Sequence, residues 1–320
     1  VESEEIVRGA RLCFGEAEDK GTLRLKLYQS EGSLPLSEGV PALEDFGFYV
    51  QSEMPTVLDE GRLGTIHDFL LDLKPGADPK ALIDRSSAIE EAIAAVLNAE
   101  AENDPFNRLV PEAGLSAREA NWLRAFYRYL RQVGMSFTIY TVVDALAAAP
   151  DVTRALVALF TARHDPEFGN ARDEAIAEAR AAIKRGLSKV KAINDDRLLR
   201  LYNSLIDAIL RTNAFAPAAH EALAFKIDSA KVPNLPKPVP YREIFVYSRR
   251  VEGIHLRSGP VARGGLRWSD RRDDFRTEIL GLMKAQRVKN AVIVPTGAKG
   301  GFYPKQLPNP AIDREAWAAE

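Results

Sequence analysis

The first hundred residues alternate between the two-residue period of a strand and the longer period of a helix. Leu23, Leu25 and Leu27 alternate with basic residues, as in a half-buried strand, after a hairpin-like turn. The same periods predict the elements that follow this strand: a helix after Pro35, an extended segment over 48–58, a strand over 69–73 and a helix over 82–96. The pattern therefore predicts a βαββα module.

The next hundred residues are predicted to be almost wholly helical. Apolar residues recur at helical spacing from about Pro105 to Thr212, with breaks at Gly134, Pro150 and Pro166. Charges of opposite sign alternate along these helices, which is typical of solvated faces with surface ion pairs. His164 and His220 have no other metal-ligand residue types at the required spacing, so both are interpreted as ordinary histidines. This segment is predicted to be a scaffold.

A proline-rich connector, Val232–Pro240, follows the helical segment. Prolines fix φ and lack an N–H donor, so the connector is predicted to cross between domains in an extended form. Beyond it, strands are predicted over 243–248, 254–257 and 291–294. They enclose a helix that is capped by Ser269 or Asp270, has two aspartates in its first turn and ends near Arg287. The predicted domains are 1–100, 101–230 and 231–320.

Composition limits the possible functions. The formal net charge of −2 argues against a chain that is basic throughout, as many nucleic-acid-binding proteins are. The single cysteine, Cys13, cannot form an internal disulfide or a multi-cysteine zinc site, and no metal site is expected. No apolar run reaches the ~18 residues of a membrane helix, and the acidic start lacks the features of a signal peptide. We therefore expect a cytoplasmic protein without nucleic-acid or membrane partners.

Residues 249–305 are more basic than the chain as a whole, with thirteen Lys and Arg against five Asp and Glu. The excess indicates a site for an anion or, alternatively, a basic face that meets an acidic partner domain. Glycine pairs at Gly264–Gly265 and Gly300–Gly301 are both predicted to form turns, and Lys299 precedes the second pair. Glycines allow a ligand to approach the backbone closely. A lysine in a poorly hydrated pocket, or beside another cation, becomes a usable base.

The two glycine segments were compared with two nucleotide-binding sequence motifs, and they match neither. A phosphate-binding loop has the spacing Gly-x-x-x-x-Gly-Lys-Ser/Thr, whereas Gly300 follows Lys299. Neither glycine pair forms the dinucleotide pattern Gly-x-Gly-x-x-Gly. Any nicotinamide-binding half is therefore expected beyond Glu320, and the residues that bind the cofactor are unknown.

The stretch from Arg263 to Phe302 resembles the substrate domain of the glutamate dehydrogenase superfamily, in which a cation-Gly-Gly-(Leu/Ile)-Arg turn, a helix, an apolar strand ending in proline and a Lys-Gly-Gly turn follow in this order. The sequences of residues 276–286 and 289–295 are similar to those of the large bacterial NAD-dependent glutamate dehydrogenases. Those enzymes carry ACT-like modules and a helical segment ahead of the catalytic core. The βαββα order also resembles the ferredoxin-like ACT modules, with a packed α+β spacer as the alternative. The expected fold class is therefore α+β multidomain: an ACT-like module, an all-helical middle segment and part of an α/β substrate domain.

The resemblance implies roles for individual residues. Lys299 matches the catalytic lysine, and Lys289 matches the lysine that holds the substrate α-carboxylate. Arg263, ahead of Gly264–Gly265 in the substrate-binding segment, takes the place of the lysine that contacts the distal carboxylate. The segment between Lys289 and Lys299 is one residue shorter than in the common pattern, so Lys284 is the alternative ligand of the α-carboxylate. A substrate with two carboxylates needs at least two cations besides the base.

The implied activity is the oxidative deamination of L-glutamate to 2-oxoglutarate and ammonium, with NAD as the cofactor. The parent protein is expected to be a homo-oligomer. This chain alone is expected to be inactive, because the nucleotide-binding domain is predicted to lie outside it. The alternative is that residues 1–230 form a non-catalytic regulatory or oligomerisation module that senses a metabolite.

Overall fold

A computed structural model describes residues 7–15, 22–289 and 296–319. The described residues form two compact units. The first comprises Val1–Arg124 and Thr138–Arg154, and the second comprises Ala125–Phe137 and Ala155–Glu320. The three predicted domain ranges stay a prediction beside this division. Among the described helices, none combines the length and the apolar character needed to cross a bilayer.

The first unit contains a four-stranded antiparallel sheet with the order β1-β2-β4-β3. Leu23, Leu25 and Leu27 are buried on one face of β2, as their alternation predicts, and Phe69 and Leu71 continue that core on β4. The elements are β1 (Arg8–Phe14), β2 (Thr22–Gln29), α1 (Leu36–Asp45), β3 (Tyr49–Val57), β4 (Thr65–Asp72), α2 (Pro79–Ile83) and α3 (Ser86–Leu97). The predicted order from β2 to α3 is present. The sequence analysis did not predict β1, and the hairpin-like turn at 18–21 lies outside the described residues.

Helices occupy the middle of the chain, as predicted. They are α4 (Leu109–Ala113), α5 (Ala117–Gln132), α6 (Ile139–Ala148), α7 (Pro150–His164), α8 (Arg172–Leu187) and α9 (Ile193–Ala208). Gly134 has a φ of 100° just after α5, and Pro150 is the first residue of α7, where a missing N–H costs nothing. The helical prediction is wrong from Ile209 onwards. The backbone there becomes extended, and Ile209 pairs with Ile227 of a neighbouring strand.

The second unit contains a six-stranded sheet with the order β5-β6-β7-β8-β10-β9. Its elements are β5 (Ile209–Thr212), β6 (Leu223–Ile227), β7 (Arg242–Tyr247), β8 (Val251–Arg257), β9 (Leu266–Trp268), α10 (Phe275–Lys289), β10 (Ala298–Pro304) and α11 (Arg314–Ala319). Neighbouring strands are antiparallel, except that β9 and β10 are parallel. The predicted strands over 243–248 and 254–257 are present, and the one over 291–294 lies outside the described residues. The connector Val232–Pro240 joins β6 to β7, which are adjacent strands of this sheet.

Alternation along the strands of the second unit gives its sheet one buried face. Phe225, Phe245, Ile254 and Leu256 are buried on that face, and α10 packs against it on β8 and β10. The residues between them on the opposite face are half-buried. Lys299 pairs with Leu256 in the register of β10 and β8, so its side chain belongs to the face that α10 covers.

Candidate active site

Gly300–Gly301 lies within β10, and Gly264–Gly265 lies between the bridge residue Arg263 and β9. Neither pair is in a turn, so the prediction of two turns is wrong. Lys299 lies within β10, and the segment 263–268 runs parallel to it. The Ala298 N–H donates to the Arg263 carbonyl at 3.0 Å, and the Gly300 N–H donates to the Gly265 carbonyl at 3.0 Å. These bonds fix the first glycine pair beside Lys299.

Glycine is required at two of these positions because neighbouring atoms lie too close for a side chain. A Cβ atom on Gly264 would overlap the carbonyl of Ala298, and one on Gly301 would overlap the side chain of Ile279 on α10. Neither glycine is among the described glycines with positive φ. Glycine in a strand often marks a place where another backbone or a ligand comes close. The missing side chain of Gly264 lets the segment before β9 approach β10, and the missing side chain of Gly301 lets α10 pack against β10.

The ammonium group of Lys299 lies over this glycine segment. A Cβ atom built on Gly265 would be 3.9 Å from Lys299 Nζ. Arg263, two residues earlier, is exposed and bridges to Gly297 in parallel register. The structure thus brings together Arg263, Gly264, Gly265 and Lys299 among the predicted site residues.

The two remaining predicted cations lie on α10. Lys284 is exposed and lines an open groove of about 480 Å³ together with Lys237, Pro238 and Val239 of the proline-rich connector. Lys289 is the last residue of α10, two residues beyond the predicted end, and its side chain lies outside the described residues. The choice between Lys284 and Lys289 as ligand of the α-carboxylate stays a prediction.

The start of α10 also differs from the prediction. The helix begins at Phe275, so Asp273 and Asp274 precede it and neither Ser269 nor Asp270 is its cap. Ser269 instead donates its hydroxyl to Glu278 Oε2 at 2.7 Å, and Glu278 also binds Arg267 of β9. The Ser269 hydroxyl, together with Arg267, holds the pKa of Glu278 below its ordinary value. Glu278 therefore ties β9 to α10.

A buried ion network beneath the sheet was missed by the sequence analysis. Arg276 makes a fork to Glu243 on β7, with bonds of 2.9 and 2.6 Å, and both side chains are fully buried. Burial disfavours the arginine charge, but the bonds to Glu243 outweigh it and raise the pKa of Arg276. Tyr129 on α5 donates to the same carboxylate at 3.2 Å. The signal was present, because Glu243 occupies a core-facing position in the alternation of β7.

The histidines form no metal site in the part of the chain that the structure describes, where no group of three ligand-type residues converges. His164 packs against Phe160, with ring centroids 5.1 Å apart. Burial, with smaller effects of Arg163 and Arg172, lowers the pKa of His164 to about 4. His255 pairs with Gly300 across β8 and β10, and burial lowers its pKa as well. Both are neutral near pH 7, and neither is part of a metal cluster.

Comparisons with known proteins identify the family to which the chain is similar. Three family models match: the catalytic domain of bacterial NAD-glutamate dehydrogenase over 182–320, glutamate dehydrogenase helical motif 3 over 101–166 and the glutamate dehydrogenase ACT3 domain over 11–85. The NAD-specific glutamate dehydrogenase of Pseudomonas aeruginosa is 45% identical over 305 residues, which are 91% of this chain and 18% of that protein.

Further relatives give the same result. The NAD-specific glutamate dehydrogenase of Halomonas elongata is 45% identical over 99% of this chain, and that of Mycobacterium tuberculosis is 41% identical over 97%. The chain spans about a fifth of the length of these relatives. With three family models along the chain and relatives that cover nearly all of it, the chain belongs to the family of bacterial NAD-specific glutamate dehydrogenases.

Proposed function

We propose that this chain supplies the base and part of the substrate site of an NAD-dependent glutamate dehydrogenase. The reaction is the oxidative deamination of L-glutamate to 2-oxoglutarate and ammonium. The observation that carries the proposal is the placement of Lys299, whose Nζ stands over Gly265 on a strand bonded to the Arg263 segment. A lysine and an arginine on adjacent backbone segments provide a base and a cation for a carboxylate substrate.

In this proposal, Lys299 accepts a proton from the water that attacks the oxidised α-carbon and returns protons as ammonium leaves. Arg263 holds the distal carboxylate through its planar guanidinium, which forms paired hydrogen bonds to carboxylates. Lys289 holds the α-carboxylate, with Lys284 as the rival. Lys284 already lines a groove with Lys237, a second lysine that the sequence analysis did not single out.

NAD, when bound, accepts the hydride from the substrate. The described residues do not fit this cofactor. The loop from β9 to α10, Ser269–Asp274, contains no glycine and has three aspartates against two arginines, so it lacks the glycine-rich pattern of a pyrophosphate site. The NAD-binding site is therefore proposed to lie outside the described residues.

The first sheet is proposed to be a ferredoxin-like, ACT-like regulatory module. The order β1-β2-β4-β3 supports this, because β4 lies between β2 and β3, the two strands that α1 connects. β1 pairs with β2 at the other edge and completes four strands. The module is proposed to sense a metabolite or to support oligomerisation, in a cytoplasmic homo-oligomer without nucleic-acid partners.

The test is NAD reduction by L-glutamate. The full-length protein is expected to turn over, whereas the isolated 320-residue chain is expected to show neither turnover nor tight NAD binding. A full-length protein that folds and binds NAD but does not oxidise glutamate would overturn the proposed function. Turnover by the isolated chain would overturn the proposed location of the NAD site.

A further inference from the structure

We propose that the C-terminal half of α5, Ala125–Gln132, helps to position Lys299. Arg128 and Gln132 are the positioning residues. The proposal rests on the proposed function of Lys299. The helical-motif match ends at residue 166 and the catalytic-domain match begins at residue 182. Residues Ala125–Phe137 nevertheless belong to the same compact unit as the sheet that carries Lys299.

The first link joins α5 to strand β8 through a buried carboxylate. Arg128 donates to both oxygens of Glu252, at 2.7 and 3.2 Å, and the Glu252 side chain is fully buried. Burial disfavours the charge on Arg128, but Glu252 and Asp273 outweigh it and raise the pKa of Arg128. A buried carboxylate is tolerated only when it is paired. Arg128 makes both hydrogen bonds to Glu252, and Lys305 is a more distant second cation, with Nζ 4.0 Å from Oε1.

The second link joins α5 to the start of α10. The Gln132 amide donates to the Arg272 carbonyl at 2.9 Å, and the Gln132 side-chain oxygen accepts the Arg276 N–H at 3.1 Å. The second bond satisfies one of the N–H groups that a helix leaves unpaired in its first turn. One side chain on α5 therefore fixes both the loop before α10 and the first turn of the helix.

The third link joins α10 to Lys299. Ile279, one turn after Arg276, is fully buried and packs directly over Gly301, two residues from Lys299. Glu278 on the same turn binds Arg267 on β9 and Ser269 just after that strand, and both residues follow the Gly264–Gly265 pair. A shift of α10 would therefore move both backbone segments that define the position of Lys299. Small misplacements of a reacting group are enough to slow a reaction substantially.

The experiment compares Gln132→Met with Arg163→Met in the full-length protein. Gln132→Met removes both bonds to the start of α10 at nearly unchanged size. Arg163→Met is the matched control, because Arg163 on α7 bonds to Asp207 and to the Ile209 carbonyl at the opposite edge of the same sheet. Hydrogen exchange of the peptide Ala298–Pro304 is measured beside kcat and KM.

We expect Gln132→Met to speed exchange of that peptide and to lower kcat, each about tenfold or more, with the KM for glutamate changed less than about threefold. Arg163→Met should leave both unchanged. Arg128→Lys, which keeps the charge opposite Glu252, should recover most of the kcat that Arg128→Met loses, and this pair decides the proposal if Gln132→Met does not fold. Equal exchange in Gln132→Met and Arg163→Met would overturn the positioning role. If Lys299→Ala leaves kcat unchanged, the proposed function fails instead, and exchange alone decides the positioning role.

Discussion

At the scale of single residues, the motif residues were predictable and their backbone setting was not. The sequence singled out Arg263, Gly264, Gly265 and Lys299, and the structure brings these four together. A glycine-rich sequence favours turns, because glycine adopts positive as well as negative φ. Here Gly264 and Gly301 allow close packing against Ala298 and Ile279, which are partners distant in the sequence. The alternation of β7 places Glu243 in the core, but nothing local identifies Arg276 as its partner, so the pair was missed.

Arg263 is predicted to select substrates with a distal carboxylate. Arg263→Met should raise the KM for L-glutamate about ten- to a hundredfold, because a charge-assisted hydrogen bond is worth roughly 1.5–3 kcal/mol. Its preference for glutamate over norvaline, which lacks that carboxylate, should fall by a similar factor. Steady-state kinetics with both amino acids measure this. Lys289→Met is the control, because norvaline keeps the α-carboxylate, and equal discrimination in both variants would contradict the assignment.

His164 is predicted to weaken the fold as the pH falls. Its pKa is about 4 in the folded chain against an ordinary 6.5, so the unfolded chain binds the proton first. The contribution of His164 is therefore complete above about pH 6.5 and is lost progressively towards pH 4. His164→Phe should flatten the dependence of unfolding free energy on pH in this window. Urea unfolding at several pH values measures it, and parallel curves for both proteins would refute the prediction.

At the scale of elements, periodicity predicted the long helices and three of the four strands of the first unit, β2, β3 and β4. It failed where an apolar run changes conformation, as at Ile209, because short apolar runs do not distinguish helix from strand. Strand β6 was missed although Leu223, Phe225 and Ile227 alternate, and the prolines that follow it were interpreted as a domain boundary. That connector returns the chain to the adjacent strand β7.

The pairing of β10 with the 263–268 segment gives an element-scale prediction. Gly264→Ala should lower the free energy of unfolding by roughly 1–3 kcal/mol, because the new methyl group would overlap the Ala298 carbonyl. The matched control is Gly281→Ala on α10, where a Cβ meets nothing within 4 Å. That change should stabilise the protein by about 0.4–1 kcal/mol. Chemical denaturation distinguishes the two, and equal effects would contradict the close approach.

At the scale of the whole molecule, the uneven distribution of charge predicted the position of the candidate site. Residues 249–305 carry the basic excess in a chain of net charge −2, and Arg263 and Lys299 lie in that stretch. The sequence could not reveal that α5, in a segment interpreted as scaffold, supplies Arg128 and Gln132 to the same unit. That link joins residues more than a hundred positions apart and depends on tertiary packing.

The central claim is that Lys299 is the base of the reaction, and the kcat of Lys299→Ala in the full-length protein tests it most directly. We expect a fall of about 10²–10⁴, the usual contribution of a positioned proton-transfer group, with a smaller change in substrate affinity. Lys226→Ala, on β6 of the same sheet, is the matched control and should keep kcat within about twofold. If Lys299→Ala folds normally and turns over at the rate of the control, Lys299 is not the base and the account is wrong.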